Sequence, residues 1–245
     1  MNEIWAFIYG AIQGITEFLP ISSSGHLALI PKFFPLEDPG VIFDLVMHVG
    51  TAFAVMVYFK KDIISLVKEG IEILVKKDIK ETGFFFQNFV FATIVSFVSI
   101  ILIKDLAFAY GRTSLFIAIN LMVFGVLMYL SDRTKSQDVD LVRKKDFKRA
   151  FVIGLAQSFA VFPGVSRSGI TLTAARFSKL SRIEASRFSF LLSLPIILAS
   201  VVYKLPEIIK GDAIAVDFGV ITVGIIVSFV VGILSIHFFL KFIAK

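Results

Sequence analysis

The stretch Glu17-Phe-Leu-Pro-Ile-Ser-Ser-Ser-Gly-His26 and a second one, Pro163-Gly-Val-Ser-Arg-Ser-Gly-Ile-Thr171, interrupt membrane-grade hydrophobic sequence with prolines, glycines, hydroxyls and ionisable groups. Lipid tolerates a broken backbone only where protein or a wet cavity surrounds it, because no water is at hand to pair the freed amides and carbonyls. An ionisable side chain at that depth is costly unless it meets a partner or a ligand. Each stretch therefore marks a buried polar site.

Outward from the two motifs the chain is apolar almost throughout. Its 245 residues are 57% hydrophobic with a mean hydropathy of +0.87, too apolar for a water-soluble domain, so residues 1–245 read as one all-α integral membrane domain. Residues 84–103, 113–130 and 218–240 carry no Asp, Glu, Lys or Arg, and each is long enough to cross a hydrocarbon core of roughly 30 Å. Residues 41–59, with Asp44 and His48, and 184–203, with Glu184 and Arg187 in the first turn, make about five full crossings in all. The helical stretches 4–18 and 149–162 run into Pro and Gly after three to four turns and read as half-helices. Residues 4–31 and 149–180 then form re-entrant hairpins.

Charge orients this topology. Two re-entrant hairpins place 19 of the 25 lysines and arginines on one face and five on the other, with Arg167 inside the second motif. The positive-inside rule puts the rich face, including the loop 131–148 and the C-terminus, in the cytoplasm, and the N-terminus and the pocket opening outside. The net charge of +6 is thus an orientation signal and an attraction to anionic lipid heads, and nucleic acid is set aside as a partner. The start Met1-Asn-Glu-Ile lacks the basic region and cleavage site of a removable signal peptide. With no cysteine, disulfides and thiolate chemistry are excluded. Residues 60–83 mix Lys and Glu with Ile63, Ile64, Leu66, Val67, Ile71, Leu74 and Val75, which suits an amphipathic helix on the membrane surface.

The chain also resembles itself. An offset of 144 pairs Gly10 with Gly154, Gln13 with Gln157 and Gly25 with Gly169; an offset of 145 pairs Phe43 with Phe188 and Tyr58 with Tyr203. Half one (1–130) and half two (149–245) each read half-helix, breaker, short helix and a Phe-led crossing. Three crossings separate the breakers, so the copies enter from opposite faces as an inverted-topology repeat. Broken helices of such repeats meet near the midplane, where their N-terminal amides favour an anion, with phosphate the first candidate.

Arg167 suits that guest, because its planar fork binds phosphate through two oxygens. Ser166, Ser168 and Thr171 offer hydroxyls to the same oxygens, and Ser22 and Ser24 do so from the first motif. Pairing of Arg167 with Glu17 is the structural reading of the same residue. Gln13 and Glu17 share one face of the first half-helix, where a carboxylate can hold a divalent cation or act as a general base. Hydrolysis of a phosphoanhydride needs a nucleophile, a proton handler and positive charge on the non-bridging oxygens. Glu17, Ser23, His26 and Arg167 fill those roles, with the attack open between Ser23 and His26. His48 and His237 lack such neighbours and read as structural.

The two motifs, with Phe43-Asp-Leu-Val-Met-His-Val-Gly50 and Glu184-Ala-Ser-Arg-Phe-Ser-Phe-Leu-Leu-Ser-Leu-Pro195, closely resemble the signatures of BacA/UppP-type undecaprenyl-pyrophosphate phosphatases. The resemblance implies a bacterial inner-membrane hydrolase, assisted by Mg²⁺ or Ca²⁺, that returns the lipid carrier undecaprenyl pyrophosphate to the monophosphate for peptidoglycan synthesis and cell shape, and confers bacitracin resistance. It places the acidic pair on Gln13 and Glu17, the Ser and His on Ser23 and His26, and the phosphate set on Ser166, Arg167 and Thr171. Gln13 stands where the family often has Glu, which leaves Glu17 as the carboxylate of a metal site shared at most with Gln13. The chain also stops at Lys245, where similar proteins run on through another hydrophobic segment, and the second half correspondingly has one crossing fewer. Membrane lipid is an expected partner, and a second copy of the chain a candidate one. The rival reading is a transporter or flippase for an anionic prenyl lipid, which needs Arg167 but no nucleophile.

Overall fold

A computed structural model describes residues 2–34, 39–76, 83–110, 113–137, 141–209 and 217–244. Lys77, Lys80, Arg112, Lys210 and Lys245, counted in the charge argument, lie outside the described residues. Among those described, all regular structure is helical. A short helix α1 (Glu3–Thr16) breaks and is followed by α2 (Ser23–Phe33), α3 (Gly40–Tyr58) and α4 (Lys60–Lys76). Two long helices come next, α5 (Phe84–Tyr110) and α6 (Ser114–Asp132). The second broken pair is α7 (Phe147–Ser158), a single 3-10 turn (Phe159–Val161) and α8 (Arg167–Phe177); α9 (Arg182–Ile209) and α10 (Phe218–Ile243) close the chain.

Four helices, α5, α6, α9 and α10, hold stretches long and apolar enough to cross a membrane by themselves, and one pair, α3 with α4, bent by 79°, makes a fifth if it counts as one span. This is a multi-pass membrane protein. The bend follows from sequence: α3 is apolar to Tyr58, whereas α4 opens on Lys60 and Lys61. On α4 the residues Ile64, Val67, Ile71, Leu74 and Val75 are exposed and share one face, while Leu66 is buried against the bundle.

The half-helices are held by close backbone approach. A Cβ on Gly10 of α1 would lie 2.7 Å from the Gly224 carbonyl of α10, and one on Gly154 of α7 would lie 2.4 Å from the Ala92 carbonyl of α5. Small residues at such seams let membrane helices meet without a hydrophobic driving force between them. Phe190 of α9 is fully buried and contacts Phe18, Phe59 and Phe239, with ring centroids 5.3, 6.2 and 5.9 Å away. That aromatic hub ties the segment after α1, at the residue following Glu17, to the end of α3 and to α9 and α10.

Candidate active site

Both breaker motifs open onto one cavity of about 250 Å³. Glu17, Ser22, Ser23 and Ser24 line it from the first motif, and Ser166, Arg167 and Ser168 from the second; Leu45 and His48 of α3 and Gln157 of α7 also line it.

The two turns are built alike. Ser22 is the N-cap of α2, and its Oγ accepts the Gly25 N–H at 3.3 Å; Ser166 is the N-cap of α8, and its Oγ accepts the Gly169 N–H at 3.1 Å. A serine at the N-cap pairs an amide that the helix cannot. Each cap hydroxyl also contacts the hydroxyl two residues on, Ser22 with Ser24 at 3.4 Å and Ser166 with Ser168 at 3.3 Å. Ser23 and Arg167 therefore hold the same register position in the two motifs, each the first residue of a helix whose N-terminus meets the cavity.

They also reach the same carboxylate. Arg167 Nη2 donates to Glu17 Oε1, and its Nη1 donates to the Ser189 carbonyl at 3.4 Å. Glu17 Oε2 accepts from Ser23 Oγ at 2.7 Å and from Gln13 Nε2 at 3.0 Å, and His48 Nε2 lies 3.3 Å away. Glu17 is 5% exposed, and so many donors offset the cost of burying its charge. His48 Nδ1 sits 2.7 Å from the Asp44 carbonyl, which can only accept.

His26 is placed differently. It is exposed, does not line the cavity, and its Nδ1 lies 2.8 Å from the Ser22 carbonyl. Ser22 has φ 68° and ψ 93°, a conformation few residues other than glycine adopt, so His26 ties down a strained turn next to the reacting groups. Thr171 is likewise off the wall; its hydroxyl donates to the Arg167 carbonyl at 2.9 Å and abuts the Ser189 hydroxyl. The residue that sequence reasoning passed over is His48, read there as structural. An ionisable group inside a crossing was the signal for it, but which helix face it occupied was not visible. A second addition is Asn120 of α6, whose Nδ2 donates to the Pro163 carbonyl at 2.7 Å. Next to it Gly164 has φ +88°, and a Cβ there would lie 2.6 Å from the Ile117 carbonyl.

Gln13 does not line the cavity, yet its Oε1 is a buried acceptor without a hydrogen-bond partner. It is the Gln13 amide nitrogen, not this oxygen, that faces the Glu17 carboxylate. Among the described residues no group of three or more His, Asp or Glu side chains is placed to hold a metal, and the carboxylate that lines the cavity is Glu17.

Broken helices, long apolar helices and a buried Ser–Glu–Arg cluster define a multi-pass membrane protein with a buried polar pocket. Over residues 6–245 the chain matches the family described as Bacitracin resistance protein BacA, and it belongs to that family. Along its whole length it is 40% identical to the undecaprenyl-diphosphatase of Marinobacter nauticus, covering 92% of that protein. Identity to the undecaprenyl-diphosphatases of Aliivibrio salmonicida and Teredinibacter turnerae is 40% and 42%, over 91% and 92% of those chains.

Proposed function

We propose that this chain removes the terminal phosphate of undecaprenyl pyrophosphate, with Ser23 as nucleophile, Glu17 as base and Arg167 as the phosphate clamp. The observation that carries the reading is a single buried carboxylate holding the Ser23 hydroxyl on one oxygen and the Arg167 guanidinium on the other.

The entering terminal phosphate competes with Glu17 for Arg167. The guanidinium and the N-terminal amides of α8 take its non-bridging oxygens. Glu17, released from that ion pair, accepts the Ser23 proton while Oγ bonds to the terminal phosphorus and the bridging P–O bond breaks. Undecaprenyl phosphate departs, taking the proton from Glu17. A water then gives a proton to Glu17 and attacks phosphorus; the P–Oγ bond breaks, Ser23 recovers its proton and inorganic phosphate leaves. His48 and Gln13 hold the carboxylate throughout, and His26 holds the Ser22 turn that aims Ser23. A Mg²⁺ or Ca²⁺ held by Glu17, with Gln13 beside it, would neutralise charge on the diphosphate.

The same reading takes the two broken pairs as re-entrant hairpins of an inverted repeat. Its support is the matched pair of cap turns, together with an exchange of packing: α1 of the first half rests on α10 of the second, and α7 of the second on α5 of the first. The lysines of α4 and the basic sequence after α6 support a reading with those ends in the cytoplasm and the pocket outside.

The test is phosphate release by purified protein given a prenyl pyrophosphate, first with Mg²⁺ or Ca²⁺ and then with chelator. Release with the metal is expected; none with either metal overturns the reading. A carrier of the same lipid would keep working in Ser23→Ala, whereas the phosphatase stops.

A further inference from the structure

The helix that carries Arg167 at its start carries a second buried arginine at its end. Arg176, in the last turn of α8, is 4% exposed. It lies about 13 Å along the axis from Arg167, by the rise per residue. A carboxylate does little to offset its charge: Nε is 3.9 Å from the Asp132 side chain and makes no hydrogen bond, and both oxygens of that side chain accept from Arg182 at 2.7 Å. The Arg176 fork serves main-chain carbonyls instead. Its Nη1 donates to the Leu180 carbonyl at 2.5 Å, and its Nη2 to the Asp132 and Thr134 carbonyls at 3.1 and 2.6 Å. The last carbonyls of a helix have no partner within it, and a cation beside them also meets the negative end of the helix dipole.

Those carbonyls belong to the ends of two helices that run side by side. α8 closes in a Schellman turn, with the Lys179 N–H donating to the Arg176 carbonyl at 2.8 Å and the Leu180 N–H to the Ala175 carbonyl at 3.1 Å. Lys179 has φ +69° where glycine is usual, so the turn is strained and persists through what surrounds it. Three successive carbonyls are taken there: Ser178 by Arg149 Nε of α7 at 2.8 Å, Lys179 by the Gln137 N–H at 2.9 Å, and Leu180 by Arg176. The approach to the other end of α8 leans on α6 as well, through Asn120 on the Pro163 carbonyl and Ile117 against Gly164. α6 is thus a splint fastened to the α8 segment at both ends, with Asn120 and Asp132 about 18 Å apart along it.

We propose that Arg176 is a positioning residue for Arg167: by fastening the end of α8 to the end of α6 it fixes how far the guanidinium at the start of α8 reaches into the cavity. This rests on the phosphatase reading and adds to it a residue that acts on the phosphate clamp from outside the pocket. A two-pronged clamp depends on distance and angle together, and a misplacement of about 1 Å in a positioned group is enough to cost on the order of 100-fold.

The test takes purified protein and inorganic pyrophosphate as the probe, so that binding is read without turnover. Arg176→Met is expected to weaken pyrophosphate binding, measured by isothermal titration calorimetry, about tenfold; Arg176→Lys, whose single ammonium cannot span three carbonyls, should weaken it several-fold. Arg182→Met loses only an exposed contact to the Asp132 side chain and should bind within about twofold of wild type. The deciding comparison is a double-mutant cycle. In an Arg167→Lys background, Arg176→Met should add less than about a twofold loss, because the fork that it positions is gone. Losses that multiply in the double variant would mean that Arg176 supports the fold alone, and unchanged affinity in both Arg176 variants would mean that α8 keeps its place without the latch; either overturns the inference. Should Arg176→Met not fold, the same cycle with Arg176→Lys decides. Wild type that binds pyrophosphate in this Arg176-dependent way yet releases no phosphate from a prenyl pyrophosphate would keep the positioning role and remove the phosphatase reading; release with an affinity independent of Arg176 would do the reverse.

Discussion

The turns Ser22–Gly25 and Ser166–Gly169 share a cap, a hydroxyl pair and an N-terminus on the cavity, yet they differ in the residue between and in how they are held. One carries Ser23 and the other Arg167. The Ser22 turn is strained and is tied to its own helix by His26, whereas Ser166, at φ −69°, is relaxed, with its approach braced from outside by Asn120 and Ile117 of α6. On the proposed mechanism two alike cap turns carry the nucleophile in one and the fixed cation in the other, and strain falls on the turn that aims the reacting atom, in keeping with strained backbone at functional sites.

The carboxylate that both turns share is the place to break this comparison first. Glu17→Gln removes the base while keeping the volume, and is expected to lower kcat about 10³-fold, the scale of general-base catalysis. Next comes the arginine side. Arg167→Lys keeps the charge but loses the fork, and kcat/KM should fall on the order of 10²-fold; near-normal turnover would make Arg167 a structural strut. A smaller effect is expected at His48, which lines the cavity and holds Glu17. His48→Leu should cost about tenfold in kcat with KM little changed, the scale of one charge-assisted hydrogen bond, and His48→Gln should recover part of it by keeping a donor. Equal losses in the two variants would mean that only the ring's packing counts. The smallest change is expected from Asn120→Ala. Losing a brace that touches no reacting group should cut activity a few-fold and lower the melting temperature through the unpaired Pro163 carbonyl.

Much of this was legible in the chain because bilayers are severe on polar groups. Pro20 and Pro163, with glycines and serines beside them, could only end half-helices at a protected site, and the long charge-free runs could only be crossings. Reading the chain as a repeat led to the expectation that Glu17, Ser23 and Arg167 face one pocket, and the three side chains do meet. Where reading from sequence fell short, the missing quantity was helix rotation. His26 sits within the Ser-rich motif but turns outward, back onto the Ser22 carbonyl, whereas His48, 22 residues further on in an apolar crossing, turns inward. Neighbours in sequence did not decide which face of α2 or α3 met the cavity. Asn120 was invisible for a related reason, since its partner is a backbone carbonyl whose position depends on the packing of α6 against α8.

The central claim is that the two motifs are halves of one catalytic site. It is tested most directly by phosphate release from undecaprenyl pyrophosphate in a single lipid, measured for wild type, Ser23→Ala and Arg167→Ala at equal amounts of folded protein. Release by the wild type and background rates for both variants are the predicted result; either variant turning over at more than a tenth of the wild-type rate would contradict it.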